Sequence, residues 1–131
     1  MMTTEMPALM LYAILCYHYE DTVGSWTQEQ DAEVMQKLAV VQDKLAKQGR
    51  LGPVARLLPT TAATTLRKED PPLVLDGPYA ETKEQLLGFY LIDCNNLDEA
   101  LDVARDLAKV NPGGAYEIRP VGHFTPGSVK P

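Results

Sequence analysis

Apolar residues fall into three kinds of run along this chain, and each predicts a different element. Ala8 to Tyr17 is apolar at every position, which suits a central strand covered on both faces. Val34, Leu38, Val41 and Leu45 recur on one helical stripe, so a helix is expected there. Thr27 with Gln30 reads as its capping box, and Gly49 as its left-handed C-terminal cap. Glu29, Asp31 and Glu33 suit the positive end of the helix dipole. Glu33/Lys37 and Asp43/Lys47 form acid-first i,i+4 pairs on the wet side.

Beyond that helix, Gly52-Pro53 reads as a breaker. The threonine-rich stretch Leu57–Arg67 reads as a strand, and Leu73–Leu75 as the return arm of a hairpin. Leu86–Cys94 repeats the long apolar strand pattern. Asn96 with Glu99 opens a second helix, whose stripe is Leu97, Ala100, Leu101, Ala104, Leu107 and Ala108. Asn111-Pro112-Gly113-Gly114 stops it, and Ala115–Val121 closes as a strand. Residues 1–7 and 123–131 read as loose ends of a single domain spanning 1–131.

The resulting order, β-α-β-β-α-β, is the split βαβ or ferredoxin-like α+β arrangement, an antiparallel sheet with two helices on one face. Its other face has no cover within the chain, and stacking two sheets about 10 Å apart would cover it. A homodimer, a dimeric α+β barrel, is therefore expected.

Composition narrows the function. With 131 residues, 45% of them hydrophobic and 23% charged, the chain has ordinary globular composition. A net charge of −6 disfavours phosphate backbones, so no direct nucleic-acid partner is expected. The longest apolar run falls far short of a membrane span, and no basic residue precedes it in the manner of a secretory signal. A soluble, cytoplasmic protein is expected, with no membrane partner. Cys16 and Cys94 sit in apolar runs and read as buried reduced thiols, with no positive charge beside them in sequence to activate them. No CxxC, HxH or HExxH spacing occurs, so neither a metal site nor a cofactor is expected.

Candidate chemistry concentrates at one end of the predicted sheet. His18 ends the first strand, the 76–84 segment lies at the same end, and Tyr116 and Glu117 begin the last strand there. His123 follows the far end of that strand. Asp76, Glu81, Lys83 and Glu84 form a dense charge cluster: either a solvated loop or the wall of a pocket between subunits, with Lys83 as an anion hook. Asp76-Gly77-Pro78 also reads as a turn capped by the Asp76 side chain. Glu117 and Arg119 share one face, either charged to block pairing on an exposed edge strand or facing the dimer interior, with Arg67 and the 81–84 acids as candidate partners. His18 could act as a general base beside Glu20 or Glu117, or simply be solvated. Trp26 and Tyr17 flank that end as a hydrophobic lid.

The segment Asp76-Gly77-Pro78-Tyr79-Ala80-Glu81-Thr82-Lys83-Glu84 resembles the DGPFAETKE motif of the DGPF branch of the YCII-related domain family, with Tyr79 for Phe. Leu57-Leu58-Pro59, Arg67, Gly88-Phe89-Tyr90, Leu97-Asp98-Glu99-Ala100 and Glu117-Ile118-Arg119-Pro120-Val121 resemble its flanking pieces, so the likeness covers about residues 8 to 122. The resemblance implies a ferredoxin-like fold that dimerises through its sheets. In the wider family a His–Asp pair has been proposed as a catalytic dyad. The matching positions here are Leu38 and Asn111, so the resemblance carries over no reaction. Some DGPF relatives are associated with extracytoplasmic-function sigma factors.

Three functions follow as expectations. The first is a non-catalytic small-molecule-binding or regulatory dimer, with Asp76, Gly77, Pro78, Glu81, Lys83, Glu84, Arg67 and Arg119 as ligand-binding candidates. The second is an acid–base enzyme of isomerase or lyase type with an interfacial pocket, using His18 or Glu117. The third is an interaction module for a sigma factor.

Overall fold

The computed structural model describes residues 10–131. The expected strand start at Ala8 and Leu9, and the loose start over 1–7, lie outside them. Strand β1 (Leu11–His18) leads through a short helix α1 (Glu20–Gly24) into the long helix α2 (Gln28–Lys47) and strand β2 (Leu51–Arg56). A 3-10 turn over Thr60–Ala62 precedes a hairpin of β3 (Thr64–Arg67) and β4 (Leu73–Asp76). Strand β5 (Gln85–Asp93), helix α3 (Leu97–Val110) and strand β6 (Ala115–Pro120) complete the chain. The main sheet is antiparallel, in the order β2-β5-β1-β6. This is the ferredoxin-like α+β topology that the pattern predicts. No helix among the described residues is long and apolar enough to cross a membrane.

Parity along the strands sorts the two faces of the sheet. Tyr12 and Ile14 of β1, Tyr90 and Ile92 of β5, and Ile118 of β6 belong to the core cluster or pack against it. Ala100, Val103, Ala104 and Leu107 of α3 and Leu38 and Leu45 of α2 meet them there. The alternate positions Ala13, Leu15, Phe89 and Leu91 are only half-buried, and they form the open face. The helix caps follow their sequence signals. Thr27 and Gln30 make both capping-box bonds, at 3.1 and 2.9 Å, and Asn96 accepts the Glu99 N–H at 2.9 Å. The Glu99 carboxylate reaches back to Asn95, one residue before the cap.

The second strand of the main sheet is a correction to the sequence reading. It is Leu51–Arg56, running straight through Gly52-Pro53, whereas Leu57–Arg67 contributes only a turn and a short strand to the separate hairpin. The reason is position. β2 is an edge strand, where a proline without an N–H forfeits no ladder bond, and its pairing with β5 is irregular between Leu51 and Val54. The short helix α1 likewise has no counterpart in the pattern of apolar runs.

Candidate functional site

Between α2 and the β5–β1–β6 part of the sheet lies a cavity of about 110 Å³. Its walls come mainly from core-parity positions of the strands, the end of β2 included, and from the inner stripe of α2. Cys16 stands opposite Gly88 on one side and Tyr116 on the other, and Tyr90 lies two pairs further along β5. Val34, Leu38 and Gln42 of α2 close the top, and Trp26 and Val23 close the end beside His18. Gly88 is set by close packing: a Cβ there would come within 2.4 Å of the Ala55 carbonyl oxygen. The same glycine leaves the cavity wall without a side chain.

His18 is anchored on two sides. Its Nδ1 accepts the Tyr19 N–H at 2.7 Å, so the neutral ring carries its proton on Nε2. Gly113 and Gly114, both in the left-handed region, pass under the ring. A Cβ at Gly113 would meet Nε2 at 2.6 Å, so the Asn111–Gly114 breaker is also what gives the imidazole its place. Trp26 stands edge-on to the ring, with centroids 6.4 Å apart.

Three more groups of the cavity are polar and protonated. Burial pushes the Cys16 thiol up to about 12. It pushes the Tyr90 hydroxyl to about 12 as well, with the Gln42 amide acting against that rise. Burial also raises Tyr116, opposed in part by the Asn111 amide, which donates to the Tyr116 oxygen at 3.1 Å. On the cavity's exposed rim, Arg56 makes a two-pronged pair with Asp31 at 2.9 and 3.1 Å. With both side chains partly in water, such a pair contributes about 0–1 kcal/mol.

The carboxylates named as partners for His18 are engaged elsewhere. Glu20 accepts from the Thr60 N–H at 2.9 Å and from the Thr60 hydroxyl, which holds its carboxyl below the usual range. Glu117 pairs with Arg119 at 3.5 Å, on the face of the sheet away from the helices. His123 follows β6 at the far end of the sheet, where Val121 bonds to Leu11.

The 76–84 cluster lies outside this cavity, as do Arg67, Glu117 and Arg119. Asp76 ends β4 opposite Thr64. The turn after it is closed by the Gly77 N–H on the Ala63 carbonyl and by the Thr65 hydroxyl on the Gly77 carbonyl, both at 2.8 Å. That closure replaces the side-chain cap expected of Asp76. Pro78, Glu81 and Lys83 are exposed and Glu84 is half-buried. Lys83 makes no ion pair among the described residues. Arg67 lies over the Tyr79 ring at 5.7 Å and near Glu69 at 3.6 Å. The segment reaches the site indirectly, through Gln85. Its amide donates to the Thr82 carbonyl at 2.7 Å and accepts the Glu20 N–H at 3.0 Å, tying the loop to α1.

Both cysteines are free. Cys94 has a positive neighbour that is distant in sequence: Arg50 donates to its sulfur at 3.3 Å. Burial still outweighs that contact and raises the thiol. Arg50 arrives from across the sheet, so no local pattern announces it. Arg56, Asp31, Tyr90, Gln42 and Asn111 also went unassigned to a site. The available signal was parity: Cys16, Tyr90 and Tyr116 place polar atoms at strand positions that face the core.

Fold and cavity together define a small α+β sandwich of helices on one sheet face, with a mainly apolar chamber edged by protonated polar groups. The YCII-related domain family matches residues 10–125, and the chain belongs to that family. It is also 58% identical over 122 residues to an uncharacterized protein of Rhizobium meliloti (strain 1021), covering 92% of this chain and 98% of that relative.

Proposed function

We propose that this YCII-related protein is a homodimeric, non-catalytic binder of small molecules, and that its ligand occupies the cavity beneath α2. The observation that carries this is the chamber itself, which is apolar in its walls and has His18, Tyr90 and Tyr116 converging on it. Sites for small ligands combine apolar walls with a few placed polar groups in this way. A cavity of this order takes a benzene-sized molecule, as one of about 150 Å³ does. A binding role is supported over acid–base chemistry because Glu20 and Glu117 are each held away from His18.

Dimerisation is supported by what the protomer leaves bare. Leu15, Phe89 and Leu91 share the open sheet face, and Leu66, Val74 and Leu75 are exposed at 57%, 64% and 43% on a hairpin whose strands pair only with each other. A lone two-stranded hairpin is marginal in water, and a second copy would cover both surfaces.

Saturation-transfer NMR with toluene and cyclohexanone, beside sedimentation of the free protein, tests both parts. Wild type is expected to sediment at twice the chain mass and to bind a probe that Val34→Phe, which fills the cavity, no longer binds. A monomer refutes the dimer. Failure of every benzene-sized probe, or undiminished binding in Val34→Phe, refutes the site.

A further inference from the structure

We infer that the cavity recognises a neutral carbonyl compound, its oxygen held between the Tyr116 hydroxyl and His18 Nε2; this rests on the binding reading above. Tyr116 stands opposite Cys16 across the β1–β6 pair, so His18, two residues along β1, is its diagonal neighbour on the same face. Diagonal cross-strand neighbours stand about 7–8 Å apart, a gap that aromatic side chains span, and both rings line the same cavity. The two groups arrive already oriented. The Tyr116 oxygen is taken on one side by the Asn111 N–H, which leaves its own proton to give. His18 has Nδ1 occupied by the Tyr19 N–H, which leaves Nε2–H to give.

Two donors match the two lone pairs of a carbonyl oxygen. Asn111 acts here as a positioning residue, through Tyr116. The charge state of the ligand follows from Arg56. Among the described residues it is the one lysine or arginine lining the cavity, and Asp31 holds it at two nitrogens. An anion would therefore give up water without a free lysine or arginine to meet it, a costly exchange in an apolar chamber. The remaining walls, Val34, Leu38, Cys16 and Gly88, would take the hydrocarbon body.

Matched probes test this: cyclohexanone, methylenecyclohexane of the same shape without the oxygen, and cyclohexanecarboxylate, each titrated by NMR against wild type and Tyr116→Phe. Wild type is expected to prefer cyclohexanone over methylenecyclohexane by about tenfold, as two neutral hydrogen bonds would give. Tyr116→Phe keeps the ring and should cut that preference to about threefold, with methylenecyclohexane binding unchanged. Equal affinity for the two probes in wild type, an unaltered preference in Tyr116→Phe, or tighter binding of the carboxylate overturns carbonyl recognition while leaving the cavity a binding site. If none of the three binds, the binding reading itself falls.

Discussion

Replacing Gly88 by alanine tests how closely β2 is laid against β5. The added Cβ would sit 2.4 Å from the Ala55 carbonyl oxygen and 3.2 Å from the Arg56 Cα. A carbon–oxygen contact settles at about 3.3 Å or beyond, so β2 would have to retreat by about 0.9 Å. The obstacle is backbone, so no side-chain rotation relieves it. The retreat would loosen the Ala55–Phe89 and Arg56–Gly88 pairs and pull Arg56 away from Asp31. Overpacking of this kind costs about 1–3 kcal/mol, which for a domain of this size lowers Tm by about 4–12 °C. Gly24→Ala supplies the control, since nothing lies within 4 Å of its Cβ position. There the loss of unfolded-state freedom should leave stability unchanged or raised by up to about 1 kcal/mol. Urea unfolding of both variants at one protein concentration gives the comparison. A Gly88→Ala protein within about 0.5 kcal/mol of wild type would refute the close approach of the two strands.

Two further outcomes follow from the environment of single groups. Cys94 is buried and Cys16 half-buried, and burial raises both thiols, so a disulfide reagent at neutral pH should titrate them only slowly until urea is added; rapid reaction of both thiols in the native protein would contradict that environment. Glu20 is held below its usual 4.5 by the Thr60 hydroxyl and N–H. Its contribution is therefore present above the unfolded pKa and lost as pH falls through the lower folded value. Glu20→Gln should flatten the acid side of the Tm–pH curve in the region below about pH 5, and an identical acid slope in the variant would show that the Thr60 contacts carry no linkage.

Much of the fold was legible because its signals are local. The Thr27–Gln30 box, the Gly49 and Asn96 caps and the α2 stripe all act over a few residues, and each formed where the pattern put it. The β2 strand was not legible, because Gly52-Pro53 breaks a strand only if its N–H is needed. Whether it is needed depends on lying at the sheet edge. The family likewise was legible from the 76–84 segment, yet that segment turned out to build the hairpin closure and the loop joined to α1.

The sequence by itself determined the two long helices with their ends and the strands β1, β5 and β6. These depend on residue periods and on bonds between near neighbours. Only the tertiary structure decided that Cys16, Tyr116, His18 and Arg56 share one chamber, and that Arg50 reaches Cys94. Those contacts join residues from different strands and helices, and the register that aligns them is set by packing the whole sheet at once.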